Sequence, residues 1–125
     1  MTSTSSLGFA ALNFDCTDPA GLAAFWGKAL GRPFTPGTIA GDMAVTATDP
    51  ASGPRLIFHP VPAAERVKSR GVRPILVTEQ HAEEIERLTG LGAELLDEAK
   101  LPGVRVSTLA DPEGNEFNLV TFQPE

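Results

Sequence analysis

The strongest constraint on the fold of this chain is an internal repeat. Each half reads as one strand, one amphipathic helix and then three more strands. The glycines that end the two helices, Gly31 and Gly92, lie 61 residues apart, and the turns that begin at Asp49 and Asp111 lie 62 residues apart. Because one such unit leaves a face of its four-stranded sheet uncovered, two copies in one chain are expected to pair.

The local signals in the first unit are those of a strand followed by a capped helix. Residues 9–16 alternate between apolar and polar side chains, which predicts a strand. Asp18 is placed to cap the next helix, Pro19 suits its first turn, and apolar residues then recur at helical spacing as far as Gly31. Further strands are predicted around Phe34 and at 43–48 and 55–59.

The second unit follows a stretch without periodicity, residues 61–71, which reads as a linker. A strand, a helix and three strands are then predicted at 73–78, 82–91, 93–96, 104–110 and 116–122, with loops at 36–42 and 97–103. The resulting division is one domain over 1–125, with module one at about 8–60 and module two at about 72–123.

Composition and charge narrow the function classes. The formal net charge is −6 without a cluster of Lys or Arg, so nucleic acid and anionic membrane surfaces are not expected partners. No apolar run approaches the roughly 20 residues of a membrane span, and the polar start has no signal-peptide pattern. The single cysteine, Cys16, fits a reducing compartment and reads as a small buried hydrophobe, so a cytoplasmic protein is expected.

Two stretches resemble a known family. Residues 12–19 with the helix that ends at Gly31 are similar to the opening of glyoxalase-like domains of the vicinal oxygen chelate superfamily, and residues 109–117 resemble its Asp-Pro-Glu-Gly-Asn hairpin. The resemblance covers nearly the whole chain. It implies an α+β fold in which two tandem βαβββ modules form curved mixed sheets around a cleft, and it implies a homodimer.

Many enzymes of that superfamily hold one divalent cation in the cleft, on His, Glu or Gln side chains. The corresponding positions here are Ala11, Ile57, Arg73 and Asn118, and none of them is a good ligand. No cofactor is therefore expected. A divalent metal stays open as an alternative, because His59 shares a strand face with Ile57 and would form a partial site with Asn118.

Several polar side chains are candidates for contacting a small molecule. Period-two counting along the strands predicts which residues line the cleft: Ala11, Asn13, Asp15, Arg55, Ile57, His59, Arg73, Ile75, Glu116, Asn118 and Val120. Five of these are the ligand-binding candidates: Asn13, Ile57, His59, Arg73 and Asn118. The Arg73 guanidinium suits a carboxylate or phosphate, although an ion pair with Glu116 is the alternative role. His59 and Glu116 are the candidate general bases. Trp26 is expected in the core, Asp111 in a turn, and His81 on the surface.

Two functions compete on this reading. The first is a metal-independent small-molecule binding protein, similar to the bleomycin-resistance members of the superfamily. The second is a glyoxalase-like lyase, isomerase or dioxygenase that uses a metal or acid–base chemistry of His and Glu. A structural or regulatory interaction domain is a third reading, since a fold does not fix a function.

Overall fold

The computed structural model describes residues 11–37, 41–45, 53–65 and 73–122. The turn predicted to begin at Asp49 lies largely outside these residues, as does part of the predicted linker. The elements are β1 (Ala11–Cys16), α1 (Pro19–Leu30), β2 (Phe34–Pro36), β3 (Met43–Val45), β4 (Arg55–Pro60), a 3₁₀ turn (Ala63–Glu65), β5 (Ile75–Val77), α2 (His81–Leu91), β6 (Glu94–Leu101), β7 (Val104–Ala110) and β8 (Glu116–Phe122).

The two halves of the chain build the same arrangement of strands. The first sheet has the order β1-β4-β3-β2 and the second has the order β5-β8-β7-β6. In each sheet the first and last strands of the module pair in parallel, and the other pairs are antiparallel. The predicted pair of βαβββ modules with mixed sheets is confirmed.

The ends of the helices form as their sequences predict. The Asp18 side chain accepts a hydrogen bond from the Gly21 amide at 3.1 Å, and Pro19 begins α1. Gly31 and Gly92 close the two helices at φ of 67° and 120°, values that favour glycine because it has no Cβ.

One apolar core joins the two modules. Helix α1 packs on the first sheet, and Trp26 extends from it to contact Phe117 of β8, with ring centroids 4.9 Å apart in an edge-to-face arrangement. Trp26 is 1% exposed, as predicted for a core residue. From α2, the Arg87 guanidinium donates to the backbone oxygens of Lys28 and Ala29, so it satisfies carbonyls at the end of α1.

Strand β6 differs from its prediction. The sequence predicts a strand at 93–96 and a loop over 97–103, whereas β6 continues to Leu101. Every residue of β6 is exposed at the edge of the sheet, so the strand has no buried face to impose an alternating pattern. Strand β5 is shorter than its predicted range, at Ile75–Val77. In the described parts of the chain, no helix is long and apolar enough to span a membrane.

Candidate ligand-binding faces

Each sheet has one face packed against helices and one face that no described helix covers, here called its open face. The open face of the first sheet carries Ala11, Asn13, Asp15, Ala44, Arg55, Ile57 and His59. The open face of the second sheet carries Ile75, Val77, Val104, Val106, Thr108, Glu116, Asn118, Val120 and Phe122. Three of the five predicted ligand-binding residues lie on the first open face, and Asn118 lies on the second.

An aspartate and a histidine are paired at one end of the first open face. His59 Nδ1 lies 2.7 Å from Asp42 Oδ1, and Asp42 is 6% exposed while the His59 side chain is 42% exposed. His59 is one of the residues predicted from the sequence, whereas Asp42 is not. No local signal marks Asp42, because it lies outside the strands, just before β3, and approaches His59 only through the tertiary fold.

The rest of the first open face is also polar at its exposed positions. Asn13 Nδ2 donates to Asp15 Oδ1 at 3.0 Å, and Asp15 is the register partner of His59 on the neighbouring strand. Arg55 is exposed at the start of β4. Among the described residues, Arg55 has no hydrogen-bond or ion-pair partner, so it is a cation available to a ligand.

Arg73 and Glu116 form an ion pair beside the second open face. Arg73 Nη2 lies 2.9 Å from Glu116 Oε1, and both side chains are about half exposed, at 48% and 47%. This geometry matches the alternative role of Arg73, and it leaves the predicted anchor already paired. Asn118 Nδ2 donates to Thr108 Oγ1 at 3.0 Å, so part of its amide is used within the sheet.

The second open face exposes large apolar side chains. Ile75 and Val77 are each 70% exposed, and Phe122 is 72% exposed. Ile75 is the register partner of Asn118, Val77 is the register partner of Val120, and Phe122 lies at the end of β8. Contiguous exposed apolar surface of this kind marks a contact site. A separate groove of about 500 Å³ lies along the edge strand β5 between the end of α1 and the side of α2, and its lining includes Leu30, Leu76 and Leu88, which face the helices and not the open face.

The residues at the expected metal positions do not fit a divalent cation. Ala11 and Ile57 carry no donor atom, Arg73 is a cation paired with Glu116, and Asn118 offers at most a neutral amide oxygen. His59 Nδ1 already contacts Asp42. Residues 11–37, 41–45, 53–65 and 73–122 contain no group of three His, Cys, Asp or Glu side chains arranged to hold a metal.

His81 is buried, so its predicted surface position is wrong. It is 4% exposed, its Nδ1 lies 2.8 Å from Thr121 Oγ1, and its Nε2 lies 2.7 Å from Ser107 Oγ. Burial lowers the pKa of His81, and the nearby Arg105 charge adds to this while Glu98 opposes it. The available signal was the pair of hydroxyls at inward positions of β7 and β8, where apolar residues are usual.

The Asp-Pro-Glu-Gly-Asn segment is structural. Asp111 Oδ1 accepts from the Glu113 and Asn115 amides, as predicted for a turn, and Asp111 Oδ2 also accepts from Trp26 Nε1 at 3.0 Å. The Glu113 carboxylate accepts from the amides of Thr17 and Asp18 at 2.9 Å each. The hairpin of module two therefore holds the beginning of α1 in module one.

This fold, two tandem βαβββ modules with curved mixed sheets, is that of vicinal oxygen chelate proteins. The family model for the glyoxalase-like domain matches residues 11–120, so the chain belongs to that family. No curated protein sequence matches the chain.

Solved structures share the fold at low sequence identity. TnmS3, an antibiotic binding protein from Streptomyces sp. CB03234, superposes with a TM-score of 0.70 at 18% identity, covering 97% of this chain and 100% of its own. A glyoxalase/bleomycin resistance protein/dioxygenase family enzyme from Burkholderia phytofirmans PsJN gives 0.66 at 14%, covering 90% and 97%. TioX from Micromonospora sp. ML1 gives 0.64 at 17%, covering 92% and 98%.

Proposed function

We propose that this chain is a metal-independent small-molecule binding protein of the glyoxalase/bleomycin-resistance type, acting in the cytoplasm as a homodimer. The observation that carries the proposal is the second open face, where Ile75, Val77 and Phe122 are more than two thirds exposed and Asn118 is the register partner of Ile75. Small-molecule sites combine apolar area for affinity with a few polar groups for orientation. Each apolar side chain that a ligand covers fully contributes about 1.5–3 kcal/mol.

Two further observations support this class of function. The donor set at the family's metal positions is unsuited to a divalent cation, so binding is expected to depend on organic contacts alone. TnmS3, which has this fold, is an antibiotic binding protein, and that supports an organic small-molecule ligand. A second copy of the chain would cover apolar surface that the ligand leaves exposed, which is the argument for a homodimer.

The first experiment is a thermal-shift titration of EDTA-treated protein. Mn²⁺, Fe²⁺, Co²⁺, Ni²⁺ and Zn²⁺ are expected to leave the melting temperature unchanged, whereas planar aromatic compounds are expected to raise it by mass action. Val77→Asp is expected to abolish the organic response. Leu96→Asp, an exposed apolar position on the edge strand β6, is the matched control and is expected to retain it. A saturable rise with a metal that His59→Ala removes would overturn metal independence.

The second candidate function is an enzyme, a glyoxalase-like lyase, isomerase or dioxygenase. The observation that favours it is the contact between His59 and the buried Asp42, an arrangement that suits acid–base chemistry. Glu116 is a weaker candidate base, because Arg73 holds its carboxylate. Turnover of a bound compound that His59→Gln abolishes, with binding retained, would establish this second function.

A further inference from the structure

We propose that Asp42, His59 and Arg55 make the first open face a site for hydroxylated carboxylates, in which His59 Nε2 accepts a hydrogen bond from the ligand hydroxyl and Arg55 binds the carboxylate. The inference rests on the proposed small-molecule function and names the ligand class.

Two glycines bring Asp42 to its buried position. The Gly37 amide donates to the Asp42 backbone oxygen at 2.7 Å, and a Cβ on Gly37 would lie 2.8 Å from Asp42 Cβ. Gly41 has φ of +90°, and a Cβ there would lie 3.2 Å from Pro60 Cγ. A side chain on Gly37 would displace Asp42, and one on Gly41 would be strained by the positive φ and would crowd Pro60. The backbone is therefore shaped to hold Asp42 against His59.

The pairing with Asp42 selects one tautomer of His59. An ionised carboxylate only accepts hydrogen bonds, so a neutral His59 ring presents Nδ1–H to Asp42 and keeps the lone pair of Nε2 for another partner. Within the described residues, Nε2 of His59 has no partner. His81, the other of the two histidines, is a contrast, because hydroxyl groups occupy both of its ring nitrogens and it is buried.

Charges on the same face orient the ligand. Asp15 lies opposite His59 in the sheet register, so two carboxylates, Asp15 and Asp42, surround the imidazole and repel an anionic group there. Arg55 lies four residues away on the same face, about 13 Å along an extended strand, and is the exposed cation. The anionic end of a ligand is expected at Arg55 and its neutral hydroxyl end at His59.

The surface between these two groups has an apolar side and a polar side, because the exposed Asn13 of β1 is the register partner of Ile57. Ile57 lies midway along β4, with Ala44 beside it in the register and Ala11 next to Arg55. Small side chains leave room for a flat body over Ile57. The ligand class that fits is an elongated, unsaturated or aromatic acid with a hydroxyl group at the end opposite its carboxylate.

Calorimetric titration with three probes tests this assignment on the full chain. The probes are 4-hydroxycinnamate, 4-methoxycinnamate, whose hydroxyl proton is replaced, and 4-hydroxystyrene, which lacks the carboxylate. We expect 4-hydroxycinnamate to bind about tenfold more tightly than either analogue. Arg55→Met should remove the tighter binding of 4-hydroxycinnamate relative to 4-hydroxystyrene. Asp42→Asn should remove its tighter binding relative to 4-methoxycinnamate. The controls Lys28→Met and Glu83→Gln, which remove an exposed charge from a helix, should change neither ratio.

A ligand-free measurement tests the histidine separately. In ¹⁵N-labelled protein, with the signal assigned by His59→Gln, neutral His59 is expected as the Nδ1–H tautomer, and Asp42→Asn is expected to shift it towards Nε2–H. A neutral Nε2–H tautomer in the parent protein would overturn the proposed site. Equal affinities for the three probes would overturn the ligand class while leaving the proposed function intact. Failure of every organic compound to bind would overturn the proposed function and this inference together.

Discussion

Asp111→Asn is expected to destabilise the protein by about 3 kcal/mol. The Asp111 side chain is 3% exposed and accepts from Trp26 Nε1 at 3.0 Å and from the Glu113 and Asn115 amides at 2.9 and 3.0 Å. Asparagine replaces one acceptor oxygen by an NH₂ group, so a donor faces a donor in either amide orientation. Each buried donor left unpaired costs about 1–3 kcal/mol. The substitution leaves at least two donors unpaired, the new NH₂ group of the asparagine and the N–H group that faces it.

Urea unfolding followed by far-UV circular dichroism measures this cost, and a double-mutant cycle assigns it. Trp26→Phe removes the indole donor, so Asp111→Asn should cost about 1–2 kcal/mol less in that background than in the parent. Asp97→Asn on the exposed strand β6 is the matched control and should stay within about 0.5 kcal/mol. Additive effects, or a cost for Asp111→Asn below about 1 kcal/mol, would refute the role given to this contact.

Four further predictions follow from contacts outside that pair. The lowered pKa of His81 means that the folded state favours the neutral ring. The stability that His81 contributes is therefore complete above the unfolded pKa of about 6.5 and declines as the pH falls, by at most about 1.4 kcal/mol per pH unit. Urea midpoints at pH 7.5 and 5.5 should differ less in His81→Gln than in the parent, and an equal difference would contradict this. Glu113→Gln should lower the free energy of unfolding by about 1 kcal/mol, because it weakens the hydrogen bonds from the Thr17 and Asp18 amides at the start of α1. A lower melting temperature would show this loss. Gly37→Ala should lower the free energy of unfolding in urea by about 1–3 kcal/mol and displace Asp42. An unchanged His59 tautomer would argue against that displacement. Arg73→Ala should change stability by under about 1 kcal/mol in the same assay, since its ion pair is exposed.

The parts of the fold that the sequence predicted are those that local physics determines. The alternation that predicted β1, the cap at Asp18 and the terminal glycines Gly31 and Gly92 act over a few residues, so each is readable without knowing the rest of the chain. The repeat of these signals was enough to predict two modules. The prediction of β6 was too short, because an exposed edge strand has no buried face that would require apolar and polar side chains to alternate.

The candidate site was less predictable because its contacts are tertiary. His59 was selected from its position on a strand, but its partner Asp42 is 17 residues earlier in the chain and lies in no periodic pattern. Arg73 had two plausible roles, and only the position of Glu116, 43 residues away, distinguishes them. His81 was misplaced for the same reason, since the hydroxyls of Ser107 and Thr121 that accommodate it belong to other strands.

The two open faces have diverged although their modules share one architecture. Equivalent strands carry Arg55, Ile57 and His59 in the first module, but Glu116, Asn118 and Val120 in the second, where exposed apolar side chains surround them. Polar groups discriminate between ligands because leaving one unpaired is costly, whereas apolar area adds affinity with little discrimination. If one ligand contacts both faces, Val77→Asp should weaken the binding of all three probes equally. Arg55→Met should instead weaken only the two that carry a carboxylate, so the pattern of losses, measured by calorimetry, separates affinity from selectivity.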